Sequence, residues 1–432
     1  MNNNCGLITR CVLALGCMSL FVLAVAAQNA DMKIIKAGKL IDTETGRVLE
    51  NQMILVSEGK IVEVGPSLTI SDGAEFIDLS DSVVLPGLFD CHTHIISQMA
   101  DRQRLSDPWV DPLVVMNVYA KRTLLAGFTS IRSLGAGGFG DVSLMRAINR
   151  GFLDGPRIRA AGFYIGSTGS HGDRVGGSPW EGTKLPPEMS GIADGVDEVR
   201  KKVRFLVKNG ATVIKFGASA GVLSGEDSVS AAQYTQEEMN AIVSEAHLWG
   251  RKVAAHAHGT EAIKMAVKAG VDSIEHGSLI DAEGIEMMKK SGTYLVADVY
   301  VSDYILNEYS KFGAPERVLA KERIVGEAQR INFKKAHEAG VKIAFGTDAG
   351  IFPHGTNAKQ FAYMVKWGMT PMAAIQAATI NGADLLGWKE ALGSIKAGKF
   401  ADIIAVKKNP LDDVTALENV SFVMKNGEVY KR

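Results

Sequence analysis

The chain has 432 residues, with 47 Lys and Arg set against 48 Asp and Glu. That length accommodates one large domain and a smaller one, and the balanced charge argues against a nucleic-acid or polyanion partner. Its 46 glycines suit a fold with many short strand-to-helix turns.

At the N-terminus, Arg10 precedes an apolar run from Cys11 to Ala27. The run is short for a membrane span, and Ala24-Val25-Ala26 has the small-x-small pattern of a cleavage site. Residues 1–27 are therefore expected to be a signal peptide, with a periplasmic or secreted product that keeps no stable membrane association. Cys5, Cys11 and Cys17 fall inside that segment, so Cys91 would remain alone and no internal disulfide could form. Cys91 is expected to be a buried, small apolar residue.

From Met32 to Asp81 the texture is of short strands and tight turns: Ile34–Ile41, Met53–Ser57 and Lys60–Gly65, with Ser57-Glu58-Gly59-Lys60 as a hairpin turn. Ala401–Val406 and Ser421–Tyr430 look alike. Neither piece can bury a core alone, so residues 28–86 and 390–432 are expected to form one small β-sandwich. Between them, residues 87–389 alternate strand-like and helical runs. Strands are expected at Val84–His94, Thr129–Ser133, Arg157–Gly162, Thr212–Gly217, Lys252–Gly259, Asp272–Gly277, Thr293–Asp298 and Val341–Gly350. Glu198–Val207 has helical apolar spacing, Thr235-Gln236-Glu237-Glu238 is a capping box, and Gly127, Gly210, Gly250, Gly270, Gly292 and Gly340 stand where left-handed helix caps are wanted. Eight such units predict a (β/α)8 TIM barrel inserted in the sandwich, within the α/β class.

The chemistry-bearing residues collect at the C-terminal ends of these strands, the face on which such barrels place their sites. His92 and His94 are two apart, so both side chains share one face and can chelate one ion. Lys215 lies in the apolar run Val213–Phe216, where a charged ammonium is costly to bury. It either snorkels to water or a carboxylate, or reacts with carbon dioxide to give a carbamate able to bridge two divalent ions. His256 and His258 share a face; one would be a ligand and the other a substrate contact. His276 ends the next strand, and Asp348 follows Gly346-Thr347, where it could touch a metal and take a proton from an activated water. Zinc suits this donor set, as would cobalt or manganese.

These segments resemble the amidohydrolase superfamily, in the imidazolonepropionase-like branch with metallo-prolidases, Xaa-Arg/Lys carboxypeptidases and ochratoxinase-like amidases. The resemblance rests on Pro86–His94, Lys215, His256-Ala257-His258-Gly259, Glu275-His276-Gly277, Gly346–Gly350 and the tail Gly393–Asp402. It implies that His92, His94 and Asp348 hold one metal, that His256 and His276 hold the other, and that carboxylated Lys215 bridges them. It selects His256 over His258 as ligand. Two departures are informative. Deaminases of the superfamily carry a glutamate where Gly259 stands, and imidazolonepropionase has one metal and no bridging lysine. The first departs from the deaminase pattern, and Lys215 argues against imidazolonepropionase activity; by the resemblance, binuclear lysine-bridged sites are mostly hydrolytic.

His171, after the third strand, is expected to hydrogen-bond the scissile carbonyl, and Tyr234 resembles the position at which prolidase-like relatives bind the substrate carboxylate. His258 and His354 are further substrate-contact candidates, with Arg174 at the rim. The expected activity is hydrolysis of peptide or amide bonds in small substrates with a free C-terminal carboxylate, Xaa-Pro-like dipeptides first. Alternatives are an amidase of N-acyl amino acids such as ochratoxin-like conjugates, or a lactonase. An inactive binding protein on the same fold would have lost ligands, and all six are present. The partner is a small molecule or short peptide, and a homo-oligomer is compatible with the sequence.

Overall fold

Apolar alternation at both ends of the chain builds a shared sheet. The structure, a computed structural model, describes residues 32–68, 73–101, 112–173, 190–225 and 228–432. The expected leader with Cys5, Cys11 and Cys17, and also Arg174, lies outside the described residues. The N-terminal segment forms β1 (Lys33–Asp42), β2 (Arg47–Ser57), β3 (Lys60–Gly65) and β4 (Glu75–Pro86). The central region forms β5 (Leu88–Thr93), β6 (Phe128–Ser133), β7 (Arg157–Ala160), β8 (Val213–Gly217), β9 (Lys252–Ala257), β10 (Ser273–His276) and β11 (Tyr294–Val296). The end of the chain supplies β12 (Ile403–Val406), β13 (Val420–Lys425) and β14 (Glu428–Lys431).

The terminal strands join in the order β14-β13-β12-β4-β1-β2-β3. A small β-sandwich was expected; hydrogen bonding links these strands into one seven-stranded sheet. The reason is β4, which pairs parallel with β1 on one edge and antiparallel with β12 on the other, Ile403 opposite Pro86. Ile35, Ile54, Ile77, Val84, Ile403 and Phe422 form this sheet's own apolar cluster. The hairpin between β2 and β3 turns through Glu58 and Gly59, both at positive φ, the geometry of a tight primed turn.

The central strands are parallel, β5-β6-β7 in one sheet and β11-β10-β9-β8 in another. Single bridges join Ile165 to Phe216, Leu295 to Ile343, and Thr93 to Ala349. The expected eighth strand, Val341–Gly350, is not a regular strand, and the described residues contain no continuous closed sheet. The chain there leaves extended geometry because the Asp348 amide turns to the His92 carbonyl at 2.8 Å and Asp348 itself adopts φ 58°.

Helices pack outside these sheets. Gly195–Asn209 buries Val199, Val203 and Leu206 at helical spacing and ends on Gly210 at φ 105°. Burying each such side chain is worth about 1.5–3 kcal/mol. Gln236–Leu248 opens with the capping box: the Thr235 side chain accepts from the Glu238 amide, and the Glu238 carboxylate accepts from the Thr235 amide. The helix Glu316–Glu338 has 23 residues and carries Glu322 and Gln329 on an otherwise apolar buried face. No helix among the described residues is long and apolar enough to cross a membrane.

Candidate metal centre

Four of the parallel strands, β5, β8, β9 and β10, bring donors to one place. β5 carries His92 as its penultimate residue, and His94 lies just past its end; both reach Asp348 Oδ1, from their Nε2 atoms at 3.5 and 3.2 Å. β8 brings Lys215 inward, 1% exposed. β9 carries His256, with His258 just past it, and β10 ends on His276. The imidazoles pack closely. Ring centroids lie 4.7 Å apart for His256–His276 and for His258–His276, and 5.0 Å apart for His92–His276. All these residues line one pocket together with His171. The His171 ring stacks on His256 at 4.3 Å.

The surroundings hold each ring in a defined pose. Glu275 Oε2 lies 2.9 Å from His92 Nδ1, and its other oxygen accepts from Arg132 Nη2 at 2.7 Å. His276 Nδ1 contacts Asp298 Oδ1 at 2.9 Å, which also accepts from Gln329 Nε2 at 2.7 Å. His258 Nδ1 is 2.8 Å from the Ser278 hydroxyl. Fixing one ring nitrogen in this way leaves the other to face the pocket and sets which nitrogen can be a ligand. Asp90 accepts from the hydroxyl of Thr347 at 2.6 Å and from Asn357 at 2.7 Å, so β5 and the Asp348 segment are tied together. His276 and Asp348 are non-glycine residues at φ 67° and 58°. Such backbone costs about 1–3 kcal/mol per residue and collects at functional sites.

Electrostatics point the same way. Burial pushes His92 down to about 4, helped by the nearby Lys215 ammonium. Burial pushes His258 down to about 3, and burial with the His171 and His276 imidazoles holds His256 well below the ordinary range. These rings are neutral donors at pH 7. Burial opposes protonation of His276, but the Asp298 carboxylate outweighs it and raises the group. Burial would raise Asp348, yet His92 and His94 hold it well below the usual carboxylate range. Burial pushes Lys215 down to about 8 against the pull of Glu275. Among the described residues its Nζ has no hydrogen-bond partner.

Three overlapping donor groups result: His92, His94 and Asp348; His256, His258 and His276; and His276, Asp298 and Asp348, with the ligand atoms of each group within 4.8 Å of one another. Imidazoles, a carboxylate held low and a buried lysine amine with no hydrogen-bond partner among the described residues, all lining one pocket, fit divalent cations. Asp298 did not figure in the expected set, although it ends the run Thr293–Asp298. The Arg132–Glu275 support, Gln329 and Glu322 were also missed.

Two expected substrate contacts lie apart from the residues that line the pocket. The Tyr234 hydroxyl donates to the Ala193 carbonyl at 2.8 Å and its ring packs against Phe216, so it is a satisfied core residue and not part of the pocket lining. His354 stacks on Tyr119 at 5.1 Å, and its Nε2 lies 3.0 Å from the Ser97 carbonyl. It too is absent from the lining. Cys91 is buried, as expected, and burial pushes its thiol up.

The pattern described as "Amidohydrolase family" matches residues 83–430. Ochratoxinase of Aspergillus niger is 34% identical over 435 residues, covering 94% of this chain and 88% of that enzyme. The chain belongs to the amidohydrolase family. A solved Xaa-Pro dipeptidase with bound methionine in its active site is similar at 42% identity and a TM-score of 0.85, covering 93% of this chain and 100% of that one. A prolidase complexed with N-methylphosphonate-L-proline is similar at 31% identity and a TM-score of 0.85, with 93% and 100% covered. This amidohydrolase is a metal-dependent hydrolase acting on carbon–nitrogen bonds, of the amide or peptide type. Amidohydrolases generally use a divalent metal, and the His and Asp groups above are the candidates to hold it.

Proposed function

We propose that this amidohydrolase cleaves Xaa-Pro-like dipeptides and similar small amides with a free carboxylate, at a two-metal centre. The observation that carries the reading is the meeting of two donor groups around Lys215, a buried amine without a hydrogen-bond partner among the described residues. In this reading His92, His94 and Asp348 would hold one ion, and His256 and His276 the second. Lys215, its Nζ bonded to carbon dioxide with loss of a proton, would supply a further anionic ligand to both. The bound ions, zinc by preference, supply Lewis acidity and make coordinated water acidic near neutral pH. Asp348, kept ionised by His92 and His94, accepts the water proton and returns it to the leaving amine. His171, braced on His256, donates a hydrogen bond to the carbonyl oxygen as it becomes an oxyanion. His258, its Nδ1 tied to Ser278, offers Nε2 to the substrate.

The fold that goes with this activity is a (β/α)8 barrel over residues 87–389, to which the single bridges of Leu295 with Ile343 and of Thr93 with Ala349 would contribute. Residues 28–86 and 390–432 form the small β domain. A leader over residues 1–27 and export belong to the same proposal.

A second reading, an amidase of N-acyl amino acids, is favoured by the apolar wall of Val222, Leu223, Val301, Ile305 and Ile351, which could receive an aryl group. The test is turnover by the zinc-loaded protein of Xaa-Pro, Xaa-Arg and Xaa-Phe dipeptides against N-acyl amino acids and lactones. Preferred cleavage of dipeptides supports the first reading; faster cleavage of N-acyl-Phe conjugates replaces it with the second. Lys215→Ala should lose most of its bound metal, and a normal metal content would remove the bridge.

A further inference from the structure

The helix Glu316–Glu338 turns one face to the pocket, with Val318, Glu322, Val325 and Gln329 at helical spacing and all buried. Gln329 marks the end nearest the metal centre, donating to Asp298 Oδ1 at 2.7 Å and to the His276 carbonyl at 3.3 Å. One turn before Val325, Lys321 staples the helix to the opposite rim, its Nζ donating to the carbonyls of Gly221 and Ser224 at 3.1 and 2.9 Å. Glu322 lies between these anchors. It is 4% exposed and lines the same pocket as His258, His276 and Asp348.

Its surroundings are unusual for a carboxylate. Val222, Leu223 and Val325 flank it on the wall. The Ser302 hydroxyl is beside it, and among the described residues it forms no ion pair. Burial pushes its carboxyl up to about 7, with Ser302 opposing. An unpaired buried carboxylate costs stability, whereas alanine or leucine would serve the helix better. Such a cost is tolerated where a ligand brings the missing charge. Apolar walls around one carboxylate suit an aliphatic group that ends in a cation.

We propose that Glu322 binds an ammonium group of the substrate, either a free α-amino group or the amine of a lysine side chain. This rests on the peptide-hydrolase reading above and deepens it, because N-acyl substrates without a side-chain amine have no ammonium to offer. The ion pair forms in a desolvated wall, so it contributes binding and discriminates against neutral analogues.

The test compares Met-Pro, N-acetyl-Met-Pro and N-acetyl-Lys-Pro with the zinc-loaded protein and with Glu322→Gln, a change of charge at nearly constant shape. The wild type is expected to prefer an amine-bearing peptide over N-acetyl-Met-Pro. In E322Q that ratio of kcat/KM should fall about 10- to 100-fold, through KM and at unchanged zinc content. Loss confined to Met-Pro assigns the α-amino group; loss confined to N-acetyl-Lys-Pro assigns the side-chain amine. A preference that survives E322Q, or an equal loss on all three peptides, overturns the proposal. Calorimetric binding of phosphonate analogues of Met-Pro, N-acetyl-Met-Pro and N-acetyl-Lys-Pro separates this inference from the proposed activity. If no peptide is turned over, a Glu322-dependent preference for an amine-bearing analogue still sustains the ammonium site. Equal binding of all three analogues by the wild type ends it.

Discussion

Glu275→Gln tests whether the metal centre depends on a buried charge that touches no substrate. Glu275 is fully buried, with Oε1 accepting from Arg132 Nη2 at 2.7 Å and from the Ser273 hydroxyl at 2.5 Å. Arg132 is itself 1% exposed and spends its remaining donors on Cys91 O at 2.5 Å and Ser273 Oγ at 3.0 Å. The glutamine retains the shape but leaves the guanidinium without a counter-charge. Breaking a buried pair in this way costs about 3–5 kcal/mol, a large part of the roughly 5–15 kcal/mol that holds a domain folded. A second effect reaches the metal. Glu275 Oε2 faces His92 Nδ1 at 2.9 Å, and a glutamine amide nitrogen placed there would drive the ring proton to Nε2, the atom facing Asp348. Metal affinity should then fall about 10- to 100-fold. The assays are urea unfolding of the metal-free protein and competition with a chelator. The double variant Arg132→Met with Glu275→Met should recover much of the lost stability, because no buried charge is left unpaired. The pH dependence has a definite sign. Burial alone would raise the Glu275 carboxyl, but Arg132 and His92 outweigh it and hold the group below the usual carboxylate range. Its stabilisation is therefore complete above the unfolded value of about 4.3 and is lost as pH falls toward the folded one. The gap between wild type and E275Q should be constant from about pH 5 to 8 and close in acid. An unfolding midpoint and metal affinity for E275Q equal to those of the wild type would refute the reasoning.

Three further outcomes are expected. Asp348→Asn should retain the fold and lower kcat at least about 100-fold; near-native turnover would remove Asp348 from proton transfer. Tyr234→Phe should leave KM unchanged and cost about 1 kcal/mol in unfolding, since only the bond to the Ala193 carbonyl is lost. A tenfold rise in KM would return Tyr234 to the substrate. Lys425 donates to the Gly155 carbonyl at 2.5 Å, and burial, with Arg157 nearby, pushes its amine down to about 8. The unfolded chain then binds more protons between that value and about 10.4, so stability rises with pH across this window. Lys425→Met should lack that rise, and a wild-type-minus-variant difference that stays flat from pH 8 to 10 would contradict it.

What could be read from sequence, and what could not, follows the range over which each signal acts. His92 with His94, and His256 with His258, were legible because a strand repeats every two residues, so both partners of each pair face the pocket. Lys215 stood out because an ammonium inside Val213–Phe216 violates the apolar pattern of its strand. Tyr234 and His354 misled for the opposite reason. A family resemblance suggested a pocket role for Tyr234 and a place in a rim loop suggested one for His354, but a carbonyl acceptor at Ala193 and a stacking partner at Tyr119 hold the two side chains elsewhere. Those partners are distant in sequence, so no local pattern reports them. The eighth segment departs from a regular strand similarly, where the Asp348 amide bonds to the His92 carbonyl of the neighbouring segment.

Glu322 and Gln329 form an intermediate case. Neither belongs to a motif, yet both interrupt the buried face of Glu316–Glu338, where Val318, Val325 and Phe333 keep apolar spacing. A polar residue on the inward stripe of an amphipathic helix violates the pattern just as Lys215 does in its strand, only with a longer period. The helix carries its two violations on the face that meets Asp298 and the pocket wall. Departures from burial rules on quite different elements therefore converge on one cavity. Packing alone has no need of them there. Under the proposed ammonium site, binding does, and the long helix is then part of the functional site rather than outer support for the strands.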